Sequence, residues 1–398
     1  MNSNHEYRAL ANHDRNGNRG RQSRGPDENQ TTGNSHAYIF MKIEMPFHRK
    51  LIYLSICCLL AVAVTGCERA EPIRWATSAL VTELPDEALQ TELNGIVREH
   101  SGTALSPRLV SRPKDDFDFE LHLKHGQAVY MKRCVQCHGV NGDGNGPVAV
   151  HMYPRPRDYT KGIFKFTSTP YGNKPRREDL TATIRAGIAG TSMPRFNRIS
   201  DREVEAVVDY VMVLAQRGEL EYQLAMEAEA SEELDPEYVP EFVGDVTNRW
   251  LSAEQNFTHP LSPMPAFNAE IVALGKKAFL TKGCSGCHGD DGRGHTPENF
   301  KRNDSWGHPT RAADLTSGML RGGQEPIDIY RRILNGINGS PMPGFKGALQ
   351  KEPDTIWHLV AFVLDISNKR RFGETFSAGL MKEYRTAANA DPAESTDE

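Results

Sequence analysis

One short pattern occurs twice in the sequence, and it constrains the fold and the chemistry of the chain more than any other feature. Residues 133–144 read RCVQCHGVNGDG, and residues 283–294 read GCSGCHGDDGRG. In each copy two residues separate a pair of cysteines, and a histidine directly follows the second cysteine. The repetition predicts two similar modules, each built around one site.

The residue types in the motif leave three kinds of chemistry to compare: zinc binding, a redox-active cysteine pair, and covalent haem attachment. A structural zinc site needs four ligands, and each motif supplies only two cysteines and one histidine. A thioredoxin-like cysteine pair does not use the histidine and normally lies on an α/β pattern, which this sequence lacks. Haem attachment uses all three residues, because the thiols add to the two vinyl groups and the histidine binds the iron. The sequence therefore predicts two covalently bound haem c groups. Their attachment residues are Cys134, Cys137, His138, Cys284, Cys287 and His288.

The composition is that of an ordinary globular protein and excludes nucleic-acid binding as the main function. Of 398 residues, 38% are hydrophobic and 25% are charged, and the formal net charge is −5. This length allows about two domains of ordinary size. The mildly acidic balance is unlike the basic surface that nucleic acid requires. Four of the seven cysteines lie in the two motifs, so the modules keep no cysteine for a structural disulfide.

The similarity between the two halves continues well beyond the motifs. Residues 155–165 match 311–321 without a gap, and IRAGIAGTSMPRF matches ILNGINGSPMPGF, which places Met193 opposite Met342. The second module has a longer loop before 311–321 and a shorter loop after it, so the separation between histidine and methionine is nearly the same in both. A thioether favours low-spin Fe(II) and raises its potential. Met193 and Met342 are therefore predicted as the sixth iron ligands.

Helical patterns open and close each module and predict an all-α fold. LHLKHGQAVYMKR and EIVALGKKAFLTK precede the two motifs, with apolar residues at helical spacing. After the first methionine, Ser200 and Glu203 form a capping-box signature at the start of a helix. The predicted divisions are a disordered extension or a segment before the true translation start (1–40), a lipoprotein signal peptide (41–66), a tether (67–118), the first haem domain (119–217), an acidic connector (218–264), the second haem domain (265–368) and a polar tail (369–398).

The segment before the modules resembles a bacterial lipoprotein signal. An apolar run from Leu51 to Val64 follows Arg49 and Lys50, and it is too short for a membrane-spanning helix. It ends in Val-Thr-Gly-Cys at Cys67, which is similar to a lipobox. The resemblance implies that Cys67 is lipidated and becomes the first mature residue. The chain would then be anchored to a membrane, inner or outer, on the periplasmic side.

The two modules together resemble class I cytochromes c in tandem. The resemblance implies an all-α domain in which the first and last helices cross beside the haem. The crossing residues would be Gly126, Tyr130 and Tyr210 in the first module and Gly275, Phe279 and Phe362 in the second. It also implies that the carbonyls of Pro147 and Pro297 orient the motif histidines, and that Arg155 and Arg311 neutralise haem propionates.

Two haems with histidine and methionine ligands would leave no coordination position for a small-molecule substrate. The expected function is therefore electron transfer between protein redox partners, and not catalysis. Basic residues near the first motif form a candidate docking face; they are Arg155, Arg157, Lys161, Lys165, Lys174, Arg176 and Arg177. Two alternatives remain: a dihaem peroxidase-like enzyme with one open iron, and a fixed electron-entry subunit of an oxidase, reductase or dehydrogenase complex.

Overall fold

Helices dominate the computed structural model, which describes residues 73–112 and 116–373. The helices are α1 (Ala79–Thr82), α2 (Glu87–Ser101), α3 (Phe117–Arg133), α4 (Val135–His138), α5 (Arg177–Ala186), α6 (Asp201–Ser231), α7 (Val239–Ala253), α8 (Ala269–Thr281), α9 (Ser285–His288), α10 (Pro326–Asn335), α11 (Lys346–Leu349) and α12 (Asp354–Phe372). Short 3₁₀ turns cover Ala149–His151, Pro297–Phe300 and Leu315–Ser317. The predictions for 1–66, for Cys67 and for 374–398 fall outside the described residues.

Extended structure in the described part of the chain consists of two short antiparallel ladders. Strand β1 (Gly102–Thr103) pairs with β2 (Ser106–Pro107), and β3 (Arg302–Asn303) pairs with β4 (Pro309–Thr310). Each strand is two residues long, so the ladders are hairpin tips and not a sheet that could carry a core. The predicted all-α fold is confirmed.

The first domain is organised by the crossing of α3 and α6. A Cβ atom at Gly126 would overlap the carbonyl oxygen of Ala206 and lie 2.6 Å from its carbonyl carbon, so only glycine allows this approach. Beside the crossing, Tyr130 and Tyr210 are fully buried, with ring centroids 5.2 Å apart. The Ser200 hydroxyl accepts from the Glu203 N–H and caps α6. The predicted crossing and capping box are confirmed.

The second domain repeats the crossing with α8 and α12. A Cβ at Gly275 would overlap the carbonyl oxygen of His358 and lie 2.9 Å from the Phe362 Cβ. The Phe279 and Phe362 rings are 5.1 Å apart at their centroids. The residues predicted for this crossing are also confirmed, although one extra residue separates Gly275 from its motif.

Two predicted boundaries differ from the structure. The segment 67–118 is not a loose tether where it is described, because α2 buries Leu89, Leu93 and Val97 in the core of the first domain. Helix α6 continues past residue 217 to Ser231, and α7 packs against it through the buried Trp250. The sequence suggested an acidic connector because residues 219–237 contain no Lys or Arg, and this stretch begins with Glu219 and Glu221. Both are buried, since Lys174 and Arg217 pair with them.

The two haem domains pack directly against each other. Asn335 on α10 donates to the Thr169 carbonyl and to the Thr258 hydroxyl, both at 2.9 Å. The Gly172 N–H donates to Asn338 Oδ1 at 2.9 Å, so the second methionine loop is also held by the first domain. In residues 73–112 and 116–373, no helix is both long and apolar enough to cross a membrane.

Candidate haem sites

The first motif lies at the turn between α3 and α4. Tyr130, at the end of α3, donates its hydroxyl hydrogen to the Gly139 carbonyl at 2.8 Å and fixes this turn. The thiols of Cys134 and Cys137 are free and half-buried. Burial raises the pKa of Cys134 to about 12, so this thiol is protonated at neutral pH. Both thiols line the cavity that also contains His138 and Met193.

His138 has the geometry of an iron ligand. It is 8% exposed, and its Nδ1 lies 3.0 Å from the Arg157 carbonyl oxygen. Because a carbonyl only accepts, Nδ1 carries the hydrogen and Nε2 keeps a free lone pair. Burial lowers the pKa of the imidazole to about 4, so the ring is neutral at neutral pH, as a metal ligand must be. The Tyr159 ring stacks on it at a centroid distance of 4.7 Å.

His288 repeats this arrangement in the second domain. Its Nδ1 lies 3.0 Å from the Ala313 carbonyl oxygen, which again leaves Nε2 free. Burial lowers the pKa of this imidazole as well. Arg157 and Ala313 occupy equivalent positions in the matched segments 155–165 and 311–321. The two sites are therefore built in the same way.

The predicted role of Pro147 and Pro297 is wrong, because the carbonyls that hold the two histidines belong to Arg157 and Ala313. Both prolines are exposed. In the first domain, the N–H groups of Gly146 and Val148 donate to the Cys137 and Gln136 carbonyls at 3.1 Å. This folds the Pro147 loop against the backbone of the motif helix and away from the imidazole.

The two methionine loops have matching hydrogen bonds. The Ile188 N–H donates to the Met193 carbonyl at 3.1 Å, and the Ile337 N–H donates to the Met342 carbonyl at 3.2 Å. The methionine N–H donates to a hydroxyl two residues earlier, Thr191 or Ser340, at 3.1 and 3.4 Å respectively. Both methionine side chains are half-buried. This shared loop geometry fits a common role, although ligation itself stays a prediction.

A cavity of about 1040 Å³ contains the first site and is bordered by both domains. Its wall includes His138, Met193 and Arg155 from the first domain. Arg155 donates to the Ala149 carbonyl at 3.4 Å and to Asn145 Oδ1 at 3.3 Å, beside the cavity. The volume of the cavity is at the upper end for ligand sites, which are about 300–1,000 Å³. The thiols, the neutral imidazole and the cavity size together fit a haem.

The second domain contributes side chains to this wall that the sequence did not assign to the first site. Arg311 was predicted to serve the second haem, but it is exposed and borders the first cavity. Met319 lies against the first methionine loop, since a Cβ at Gly190 would be 3.5 Å from its sulfur. Trp306 is a further wall residue. The sequence could not show these contacts, because they join residues of different modules, and a comparison of the two modules shows only which positions are equivalent.

The predicted basic docking face is largely committed to contacts within the protein. Lys174 is 3% exposed and pairs with Glu219 at 2.6 Å, and Lys165 pairs with Asp304 at 3.2 Å. Arg157 lies over the Trp306 ring, and Arg177 binds Asp209. These cations have internal partners and are not a free surface for an acidic protein.

Comparisons with known proteins agree with the two-site architecture. Residues 122–211 match the family model for cytochrome c oxidase, cbb3-type, subunit III, and residues 272–367 match the family model for cytochrome c. No curated protein matched the chain. One solved structure, from the Kuenenia stuttgartiensis reducing HAO-like protein complex, has 30% sequence identity and a TM-score of 0.48. The similarity covers 61% of this chain and 96% of that one.

Both matched regions contain one complete motif and its methionine loop. Cytochrome c domains carry covalently bound haem c and perform haem-based electron transfer, and two such domains fit two haems.

Proposed function

We propose that this chain, which carries two class I cytochrome c domains in tandem, transfers electrons between protein redox partners through two haems with histidine and methionine ligands. When bound, haem supplies a reversible one-electron change at iron. The protein's part is to hold the ligands in place and to exclude water. His138 and His288 would bind the irons through Nε2, and Met193 and Met342 would supply the sixth ligands.

The observation that carries the proposal is the matched orientation of the two histidines. Each imidazole donates from Nδ1 to a backbone carbonyl at 3.0 Å, and the two carbonyls belong to equivalent residues. Such a hydrogen bond fixes the ring and makes Nε2 a better ligand. Methionine as the sixth ligand would close the coordination sphere, which favours a carrier over an enzyme.

Haem content tests the first part of the proposal. The pyridine haemochrome should report two haems for each chain, and haem staining should persist on a denaturing gel. Replacing Cys134 and Cys137 by alanine should remove one haem and leave the other, and the Cys284 and Cys287 pair provides the matched variant. A parent chain with one haem, or with none, would contradict the proposal.

Ligation is tested on the unmutated protein. Both irons should be six-coordinate and low-spin, and the ferric form should show the weak sulfur-to-iron charge-transfer band in the far red. Fast, stoichiometric carbon monoxide binding to the reduced protein at neutral pH would instead mean that one iron is open. That result would favour the peroxidase-like alternative.

The proposal also includes a lipid anchor at Cys67 on the periplasmic side of a membrane. Its support is the short apolar run followed by Val-Thr-Gly-Cys. Mass spectrometry of the N-terminal peptide should find a diacylglycerol-modified Cys67. An unmodified peptide that continues through Leu51 to Cys67 would reject the anchor.

A further inference from the structure

A short segment of the second domain, residues 304–306, lies between the supports of the two haem sites. The Ser305 N–H donates to the Gly339 carbonyl at 3.0 Å, within the second methionine loop. Toward the first domain, the Ser305 carbonyl accepts from Lys161 Nζ at 3.2 Å, and Asp304 pairs with Lys165 at 3.2 Å. The segment is therefore fixed to both domains by hydrogen bonds and charge.

The side chain of Trp306 contacts the support of the first site. The Arg157 guanidinium carbon lies 3.7 Å from the centroid of the indole ring, a close cation–π contact. The backbone carbonyl of the same arginine accepts the hydrogen bond from His138 Nδ1. One residue thus joins the indole ring to the proposed iron ligand of the first domain.

The same indole ring contacts the support of the second site. A Cβ atom at Gly339 would lie 2.5 Å from two carbons of the Trp306 ring, so the ring lies directly on the glycine backbone. Gly339 belongs to the loop that the Ile337 N–H closes onto the Met342 carbonyl. The equivalent residue in the first loop, Gly190, has nearly the same φ, but a Cβ atom there would lie at ordinary van der Waals distance from Met319.

We propose that Trp306 is a positioning residue that couples the two haem sites and allows electrons to pass between the domains. The proposal rests on the proposed function. In the exchange, one iron goes from Fe(II) to Fe(III) while the other goes from Fe(III) to Fe(II), and no proton moves or bond breaks. The route of contacts runs from His138 through Arg157, Trp306 and Gly339 to the Met342 loop. Coupling between sites is carried by such contiguous packed contacts when their geometry is fixed.

The test measures electron exchange between the domains in the half-reduced holoprotein. Exchange spectroscopy on the haem methyl NMR signals gives this rate, and its concentration-independent part is intramolecular. Trp306→Leu should slow that part by on the order of tenfold or more, because small misplacements of reacting groups have large effects on rate. Trp306→Phe keeps an aromatic ring beside Arg157 but lacks the Cη2 and Cζ3 atoms that lie on Gly339, so its exchange rate should fall between those of the parent and Trp306→Leu.

Two matched controls separate this role from a purely structural one. Trp75 also carries an arginine over its ring, Arg217 at 5.3 Å, but it packs against the core of the first domain. Trp75→Leu should leave the exchange rate unchanged. Gly339 and Gly190 have φ values of 68° and 69°, so alanine causes similar backbone strain at both. Only Gly339 contacts Trp306, so Gly339→Ala should slow the exchange more than Gly190→Ala. The glycine pair also decides the question if Trp306→Leu does not fold.

Midpoint potentials and far-red spectra of each variant complete the test. Parent-like exchange in Trp306→Leu with both haems bound, or equal effects of the two glycine changes, would overturn the proposal. A chain without two redox-active haems would contradict the proposed function itself, and the haem content would show this before the exchange rate is measured.

Discussion

Gly126→Ala tests whether the close crossing of α3 and α6 is what holds the first haem domain together. The added methyl group would overlap the Ala206 carbonyl oxygen and lie 3.2 Å from the Tyr210 Cβ. The overlapping atom is a backbone oxygen within α6, so it cannot move away by a change of side-chain rotamer. The two helices must separate, and the packing of Tyr130 on Tyr210 is loosened with them.

The expected magnitude comes from two opposed terms. Alanine in a helix interior is favoured over glycine by about 1 kcal/mol. Overpacking a well-packed core costs about 1–3 kcal/mol, and occasionally more when backbone must move. Since the clash is with backbone, we expect a net loss of about 2 kcal/mol in the free energy of unfolding. Denaturant titration of the holoprotein, followed by far-UV circular dichroism and the Soret band, measures it.

Gly95→Ala on α2 is the matched control for this prediction. A Cβ at Gly95 would meet no atom within 4 Å, so only the propensity term applies. This variant should be more stable than the parent by about 0.5–1 kcal/mol. If Gly126→Ala were as stable as Gly95→Ala, the backbone contact would not be limiting and the reasoning would be refuted. Gly275→Ala makes the same test in the second domain.

Three further changes probe the contacts that hold the sites. Lys174→Met leaves the buried Glu219 with only the Trp250 indole N–H and the more distant Arg249, and should cost about 3 kcal/mol of unfolding free energy, the lower end of the range for a broken buried pair. Lys282→Met, in an exposed pair with Glu352, should have a much smaller effect. Asn335→Ala removes two hydrogen bonds of 2.9 Å that join α10 to Thr169 of the first domain and to Thr258 of the connector, and it should cost about 1–3 kcal/mol, measured by denaturant titration; no change would show that water replaces the amide. Burial raises the pKa of Asp304, but the nearby Lys165 charge lowers it. The net effect is a pKa below the ordinary value of 3.8. The stability that this ion pair contributes is therefore fully present above pH 3.8, and it is lost as the pH falls through the pKa of Asp304 in the folded protein. Asp304→Asn should flatten that part of the profile of unfolding free energy against pH.

The crossing helices and the motifs could be predicted because their signals are local or repeated. Gly126 and Tyr130 lie one helical turn apart, and Gly275 and Phe279 repeat that spacing in the second module. Repetition singled out Met193 and Met342 as candidate ligands in the same way, because they recur at nearly the same distance from the motif, and their ligation stays a prediction. These features depend on positions close in sequence or on a direct comparison of the two halves.

The carbonyls that hold the histidines could not be predicted from residue types. Any residue has a carbonyl oxygen, and the two acceptors are an arginine and an alanine. The equivalence of positions 157 and 313 was visible in the alignment of the modules, but nothing in their side chains pointed to the imidazole. The prolines, which looked distinctive, instead lie at exposed turns.

Clustered charge was a poor guide for a related reason. Lys165 and Lys174 look like a basic surface in sequence, but their partners Asp304 and Glu219 are distant along the chain. The tertiary fold decides which acidic residue pairs with each cation. A cluster of cations in the sequence can therefore suggest a docking surface although its members are paired inside the protein.

The two largest differences in length between the modules lie where the modules contact each other. The second module's extra residues before 311–321 include the β3–β4 hairpin, with Asp304 and Trp306 at its tip. The first module's extra residues after 155–165 include 167–173, which contact α10 and Asn338. The modules therefore agree at their haem-site positions, and each has its main additional length in a loop that faces its neighbour. A mismatch in an otherwise regular repeat thus marks the domain interface. Trp306 lies in such a loop, which has no equivalent in the first module and contacts the first domain.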